Sequence, residues 1–548
     1  VLISPSAVDP LWWRSAVIYQ IYIRSFADGN GDGTGDLAGV RAHLPYLRDL
    51  GVDAIWFTPW YPSPLADGGY DVEDYFSIHP SFGDLAEAEA LIREALALGI
   101  RTIIDVVPNH ISDQHPWFKA ALASPPGSPE RERFWFRPGQ GDNGSEMPNH
   151  WVSNFQGDTW TRTTNPDGTP GEWYLHLFTP EQPDLNWNNA DVRKMHEDVL
   201  RFWFDRGVAG VRIDSAALLI KDPELSEIPD DVKPGEHPNT DRDEVHDVYR
   251  SWRAIADSYE GTRVLVGEVW LPDTERFAKY LRPDEMHTAF NFDFMARPWD
   301  ASELRDSIDS MLAAHAPVGA PSTWVLSNHD VTRPVTRYGR SDTSFAFATK
   351  RFNTPTDRAL GTRRARAAAL LSAALPGSLY VYQGDELGLP EAEDIPPELR
   401  QDPMYFRSDG IDPGRDGCRV PLPWSGALPP FGFEPEGATT VPWLPQPEDW
   451  AAFTVEAEAG DSSSMLSLYR TALSIRRSHP SLGDGTLTWI DSDPGVLAFS
   501  RGLGFVSVTN LSDKAVDLPS HVRLLLASST LENGLLPSDS TAWLRTQH

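Results

Sequence analysis

Short apolar runs alternate with helix-forming segments along most of this chain, and that alternation leaves few folds open. The runs cover 17–23, 53–58, 101–107, 208–214, 263–268, 323–327 and 379–382, with a weaker one at 289–292. Segments of helical composition lie between most of them, at 37–50, 84–98, 191–205, 242–259, 301–314 and 357–375. Strands that alternate with helices build a parallel sheet with right-handed crossovers. Eight such units close into a (β/α)8 barrel, an α/β fold. The runs are continuously apolar, as strands covered on both faces require.

Polar residues then follow abruptly at the C-terminal ends of these runs: Asn109 and His110, Asp214, Glu268, and Asn328 to Asp330. A barrel gathers those ends on one face, where active sites of this fold sit. Two stretches interrupt the alternation. Residues 111–182 are rich in Trp, Pro, Gly and Asn, and a loop that long reads as an inserted domain. Residues 390–461 form a second Pro-, Gly- and Trp-rich insertion, and a last helix is expected at 465–477. The β-patterned tail over 480–548 reads as a small antiparallel domain. The barrel would then comprise 1–110 and 183–479.

With 47 Lys and Arg against 79 Asp and Glu, the formal charge is −32. Nucleic acid and anionic membranes are poor partners for such a surface, whereas a neutral ligand is unaffected. No run is long and apolar enough to span a bilayer. The single cysteine, Cys418, excludes an internal disulfide, and no signal-like segment opens the chain, which together suit the cytoplasm. P-loop, dinucleotide-binding and H-E-x-x-H patterns are absent, so no organic cofactor is expected. Oligomeric state is not legible.

Asp214, Glu268 and Asp330, on neighbouring strand ends, would converge on one pocket, with His110, Arg212 and His329 close by. Carboxylates so grouped are the equipment of glycoside hydrolysis, because the glycosidic oxygen must be protonated while negative charge supports an oxocarbenium-like carbon. Arg212 lies two residues before Asp214, on the same side of the strand, and is expected to lower its pKa. Val269 and Trp270 give Glu268 an apolar setting that should raise its pKa. The segment DGNGDGTGD, residues 28–36, places oxygens at alternate positions. It reads either as a structural site for Ca²⁺ or Mg²⁺, held by Asp28, Asn30, Asp32, Asp36 and the Thr34 carbonyl, or as an Asn/Asp/Gly turn without a metal. Trp151, Phe155, Trp160, Trp173, Tyr174 and Phe178 form an aromatic group in the first insertion that could stack on sugar rings.

DVVPNH (105–110), GVRIDSA (210–216), GEVW (267–270) and SNHD (327–330) resemble the four signature regions of the α-amylase family, glycoside hydrolase family 13. QPDLNW (182–187), DGGYDVEDY and RDGCRVPLPW are similar to its α-glucosidase and oligo-1,6-glucosidase branch. The resemblance spans essentially the whole chain. It implies a retaining α-glucosidase, with Asp214 as nucleophile, Glu268 as acid/base and Asp330 as transition-state stabiliser. It also implies a glucose subsite of Asp67, Tyr70, His110, Phe178, Arg212, His329 and Arg415. In that subsite Asp67 and Arg415 close the far end and confine attack to terminal glucose of small oligosaccharides. The cation loop, the inserted domain B and the C-terminal β-domain match the branch. A Val after the nucleophile accompanies α-1,6 preference there. Ser215 stands here, which favours α-1,4, and RVPLPW departs from the RTPMQW of oligo-1,6-glucosidases. Isomerising transglucosidases are the alternative within the family. Non-catalytic relatives associated with transporters carry a membrane anchor and lack the carboxylates, unlike this chain.

Overall fold

A computed structural model describes residues 9–547. Eight parallel strands form one sheet: β1 (Val17–Ile21), β2 (Ala54–Phe57), β3 (Arg101–Val106), β4 (Gly210–Ile213), β5 (Val264–Gly267), β6 (Thr288–Ala289), β7 (Thr323–Val325) and β8 (Ser378–Tyr382). Their hydrogen-bonded order is β7-β8-β1-β2-β3-β4-β5-β6, an almost closed barrel. The gap between β6 and β7 is bridged by one side chain. Thr323 Oγ1 donates to the Ala289 carbonyl at 2.6 Å and accepts from Asn291 N–H at 3.2 Å.

Alternation along each strand sorts residues between two cores. Ile18, Ala54, Trp56, Ile103, Val264, Val266, Val325 and Tyr380 pack together inside the barrel. Tyr19, Ile55, Phe57, Ile104, Val211, Leu265 and Val381 face the surrounding helices. Residues two apart share a face, so Gln20, Asp105 and Arg212 carry the inward parity. Register then sets Asp105 beside Arg212, and Arg212 beside Val266. Polar side chains thus enter the barrel as one layer above an apolar plug.

The helices follow the sequence closely, and several start on Asp or Asn caps. Asp84 accepts from Glu87 N–H, and Asn189, Asp300 and Asp357 cap their helices in the same way. Two expectations need correction. The helix expected over 37–50 is two, Leu37–Ala42 and Leu44–Leu50, because Pro45 has no N–H to continue the ladder. The run at 289–292 contributes only Thr288–Ala289 to the sheet. Asn291 accepts from Phe294 N–H, and a helix, Phe292–Ala296, begins there.

Between β3 and β4 lies a three-stranded antiparallel sheet, Phe136–Arg137, Trp160–Thr164 and Pro170–Leu175. Past the last helix, Met465–Ser478, five antiparallel strands form a separate sheet. That sheet docks on helix Arg358–Ala374 through Trp543 Nε1, which donates to the Leu370 carbonyl, and Thr541 Oγ1, which donates to the Ala367 carbonyl. No helix among the described residues is long and apolar enough to cross a membrane.

The Thr323 bridge can be tested directly. Thr323→Val keeps the shape, leaves a buried carbonyl and N–H without partners, and should destabilise the protein by about 1–3 kcal/mol. Thr323→Ser should recover most of the loss in a thermal melt, and equal melting of Val and wild type would show that the seam needs no hydroxyl.

Candidate active site

The C-terminal ends of the strands open into a cavity of about 400 Å³. Asp67, Tyr70, His110, Phe178, Asp214, Glu268, His329, Asp330 and Arg415 all line it. Residues from seven separate stretches of chain are thereby brought together. Arg212 is the exception among the expected subsite residues. It is 1% exposed and lies behind the cavity wall, touching the carboxylates from below.

Arg212 holds three acids at once. Its Nη1 meets Asp214 Oδ1 at 2.6 Å and Asp105 Oδ1 at 3.0 Å, and its Nη2 meets Glu268 Oε2 at 2.9 Å. Asp105 also accepts from the Tyr70 hydroxyl at 2.9 Å and from Trp56 Nε1 at 3.3 Å. The chain turns sharply after Asp214, and Ser215 adopts a left-handed φ of 46°, a strained conformation for a residue with a side chain. That turn aims the Ser215 N–H at Glu268 Oε2, 2.9 Å away.

Burial governs the protonation of this group. Burial raises the Glu268 carboxyl to about 7, against the pull of Arg212 and with the help of the charges on Asp214 and Asp330. The expected lowering of Asp214 does not occur. Burial raises it to about 6, since Arg212 is shared with Asp105, whose own charge pushes the same way. At Glu268 the expected cause holds, since burial is what raises it, although Trp270 also donates its indole N–H to Oε1 at 3.1 Å.

Asp330 is the opposite case. Burial would raise it, but the adjacent His329 imidazole and the charges of Arg415, Arg419 and Arg212 hold it well below the ordinary carboxylate range. Arg415 Nη1 and Arg419 Nη2 each stand 3.0 Å from its Oδ1. Arg415 also reaches Asp67 Oδ1 at 2.7 Å and Asp402 Oδ2 at 2.7 Å, and lies over the Phe155 ring. Gln182 Nε2 donates to Asp67 Oδ2 at 3.0 Å. Burial keeps His110 low, at about 4, and His329 well below its ordinary value, so both imidazoles are neutral at pH 7. The Tyr70 and His329 rings stack in parallel, 3° apart in plane, on one wall.

Four residues of this network escaped the sequence reading. Asp105 and Gln182 begin DVVPNH and QPDLNW, and an acid at an inward strand position was a readable signal. Arg419 likewise begins RVPLPW, whereas Asp402 lies in no such motif and meets Arg415 only when the stretch after β8 folds back on itself. Of the aromatic group in the first insertion, only Phe155 and Phe178 line the cavity. Trp151 and Trp160 pack in a local core with Trp135, Leu175 and Leu177, Trp173 packs against it, and Tyr174 packs on Phe118.

In the 28–36 loop the oxygens bind the backbone itself. Asp28 accepts from the N–H groups of Asn30, Gly31 and Gly33; Asn30 accepts from Asp32; Asp32 accepts from Thr34; and Asp36 accepts from Gly29 and Gly39. Burial raises Asp36 to about 6. Glu434 packs against the loop with its Oε1 buried and unpartnered, and burial with the charges of Asp28 and Asp32 raises its pKa. Among the described residues no three His, Cys, Asp or Glu side chains stand ready as a metal-ligand set.

Arg415 is the cation on which one end of the cavity depends. Its partners Asp330 and Asp402 are both held below the ordinary range, so the stabilisation they provide is present above about pH 3.9 and is lost as pH falls further. Arg415→Met should cost about 3–5 kcal/mol at pH 7. The gap to wild type should narrow as acid neutralises the carboxylates, and a gap independent of pH would contradict this account.

Residues 20–485 match the family model described as alpha amylase, catalytic domain. A probable alpha-glucosidase of Rhizobium meliloti (strain 1021) is 36% identical over 536 residues, which cover 92% of this chain and 90% of that protein. An oligo-1,6-glucosidase of Parageobacillus thermoglucosidasius is 32% identical, covering 94% of this chain and 93% of its own. The crystal structure of the alpha-glucosyl transfer enzyme XgtA superposes with a TM-score of 0.83 at 33% identity, over 97% of this chain and 99% of that one. The chain belongs to the α-amylase family, glycoside hydrolase family 13, in its α-glucosidase and oligo-1,6-glucosidase branch.

Proposed function

We propose that this protein is a retaining, exo-acting α-glucosidase that removes terminal, non-reducing glucose from maltose and short oligosaccharides. One observation carries the reading: Asp214, Glu268 and Asp330 line the same cavity as Asp67 and Arg415. The first three supply double displacement, and the last two bound the pocket at one end.

Asp214 attacks the anomeric carbon, forming a C1–O bond as the glycosidic C1–O bond breaks. Glu268 gives its proton to the departing oxygen. Glu268 then takes a proton from water, which attacks C1 and releases Asp214. Asp330, kept ionised by Arg415 and Arg419, supports the positive ring carbon. Asp67, Arg415, His110 and His329 offer polar atoms to the hydroxyls, and Tyr70 and Phe178 offer apolar faces. Arg212, beneath, orients the two reacting carboxyls. Ser215 leaves more room beside the nucleophile than the Val that accompanies α-1,6 preference, which favours α-1,4. The likeness to XgtA, named for α-glucosyl transfer, supports a second reading in which a sugar acceptor replaces water in the last step.

The hydrogen-bonded 28–36 loop is proposed as a structural site for Ca²⁺ or Mg²⁺. Its hard oxygen donors suit such an ion, and so does the orphaned Glu434 Oε1. An ion there would neutralise Asp28, Asp32, Asp36 and Glu434.

Activity needs Asp214 ionised and Glu268 protonated. With Asp214 raised to about 6 and Glu268 to about 7, kcat/KM should fall on the acid side near 6 and on the alkaline side near 7, as the paired behaviour of two coupled groups. Asp214→Ala should lower turnover by at least about 10³-fold with the fold intact. Glu268→Gln should abolish the alkaline limb and lose most on poor leaving groups. Near wild-type maltose hydrolysis by Asp214→Ala would exclude it as nucleophile. A time course with maltose, isomaltose, sucrose, trehalose and starch decides the substrate: glucose alone from maltose supports hydrolysis, a rearranged disaccharide supports transfer, and internal cleavage of starch rules out the exo reading. For the loop, chelation should lower the melting temperature, and an unchanged melt together with no metal by elemental analysis would remove the site.

A further inference from the structure

The two oxygens of Glu268 are not equivalent. Oε2 accepts the Ser215 N–H and Arg212 Nη2, each at 2.9 Å, and both donors are fixed by β4 and the turn after it. Oε1 has a single donor, the Trp270 indole at 3.1 Å. Oε2 is thereby saturated by a cation and an amide, so the mobile proton belongs on Oε1. That is the oxygen Trp270 addresses.

Trp270 is unlike the other tryptophans. Of those in the described residues it alone is substantially exposed, at 39%, and it lines the cavity. Its ring stacks on Phe292 with centroids 3.9 Å apart and planes at 8°, and Phe347 meets it at a steeper angle. The stack holds the indole plane while the N–H remains aimed inward.

We propose that Trp270 is a positioning residue that sets the proton affinity of Glu268 from the solvent side of the cavity. This rests on the reading of Glu268 as acid/base. An N–H donated to a carboxyl oxygen favours the ionised form. The other charged groups facing Glu268 are Arg212 and Asp214 from β4, Asp105 from β3 and Asp330 after β7. Arg212 is shared among acids, and the three carboxylates all oppose ionisation. Trp270 therefore joins the Ser215 N–H as a neutral donor that favours the base form needed when the glucosyl-enzyme is hydrolysed, and it is the one on Oε1. Its position at the exposed side means that an incoming or leaving sugar competes for the same oxygen. The bond yields when Oε1 must serve substrate and reforms when the site empties.

The test compares kcat/KM against pH for wild type, Trp270→Phe, Trp270→Ala and Glu268→Gln. Phe keeps the ring and the stack on Phe292 but removes the N–H. It should move the alkaline limb upward by about one pH unit and leave the acid limb in place. A purely packing role would alter KM and leave both limbs unmoved. Superimposable limbs for Trp270→Phe and wild type overturn the inference, as does a limb that moves in Trp270→Ala and not in Trp270→Phe, which would trace the effect to solvent entry. If Glu268→Gln keeps wild-type rates and its alkaline limb, the acid/base reading itself fails, a result separate from either of these.

Discussion

A single guanidinium organises this molecule's chemistry. Arg212 enters the barrel at an inward position of β4 and meets Asp105, Asp214 and Glu268, two of which line the cavity. Three acids gathered without it would repel one another and would protonate. With it, they remain close yet incompletely neutralised, one cation against three anions. The partial deficit leaves Asp214 and Glu268 near the middle of the pH scale, where proton transfer is useful. A stronger positive field, such as the one Arg415 and Arg419 give Asp330, would have locked them ionised. Neighbouring carboxylates thus acquire different states from the distribution of arginines around them.

The barrel supplies what that arrangement needs. Strand parity turns Asp105 and Arg212 inward, register sets them side by side, and the apolar layer beneath excludes water. Polar residues in such a place survive because each has a partner, which is the condition for burying charge at all. Much of the construction is held by side chains from outside the barrel strands. Arg415 and Asp402 come from the stretch after β8, and Gln182 from the end of the insertion after β3.

This division explains what could be read from the chain. The barrel was legible because its strands are continuous apolar runs that alternate with segments of helical composition. The carboxylates at strand ends were legible for the same reason, since parity and strand ends are local properties. The seam between β6 and β7 was not, because one hydroxyl stands where a ladder would be. Asp402 was not, because its role arises only when the stretch after β8 folds back on itself. The raised pKa of Asp214 was missed for a related cause. Proximity to Arg212 is written in the sequence, but the competition of Asp105 for that same cation depends on pairing β3 with β4.

Arg415 is translated after every strand of the barrel, since β8 ends at Tyr382. A ribosome that has just released β8 has therefore supplied every strand of the sheet but not the arginine that ends the pocket. During that interval Asp67 and Asp330 lack the side chain that joins them, and the subsite has no end wall. Completion of the site is thus ordered in time, behind completion of the scaffold. A nascent or truncated product ending before residue 415 would carry all three carboxylates proposed for catalysis without the side chain that joins Asp67 to Asp330.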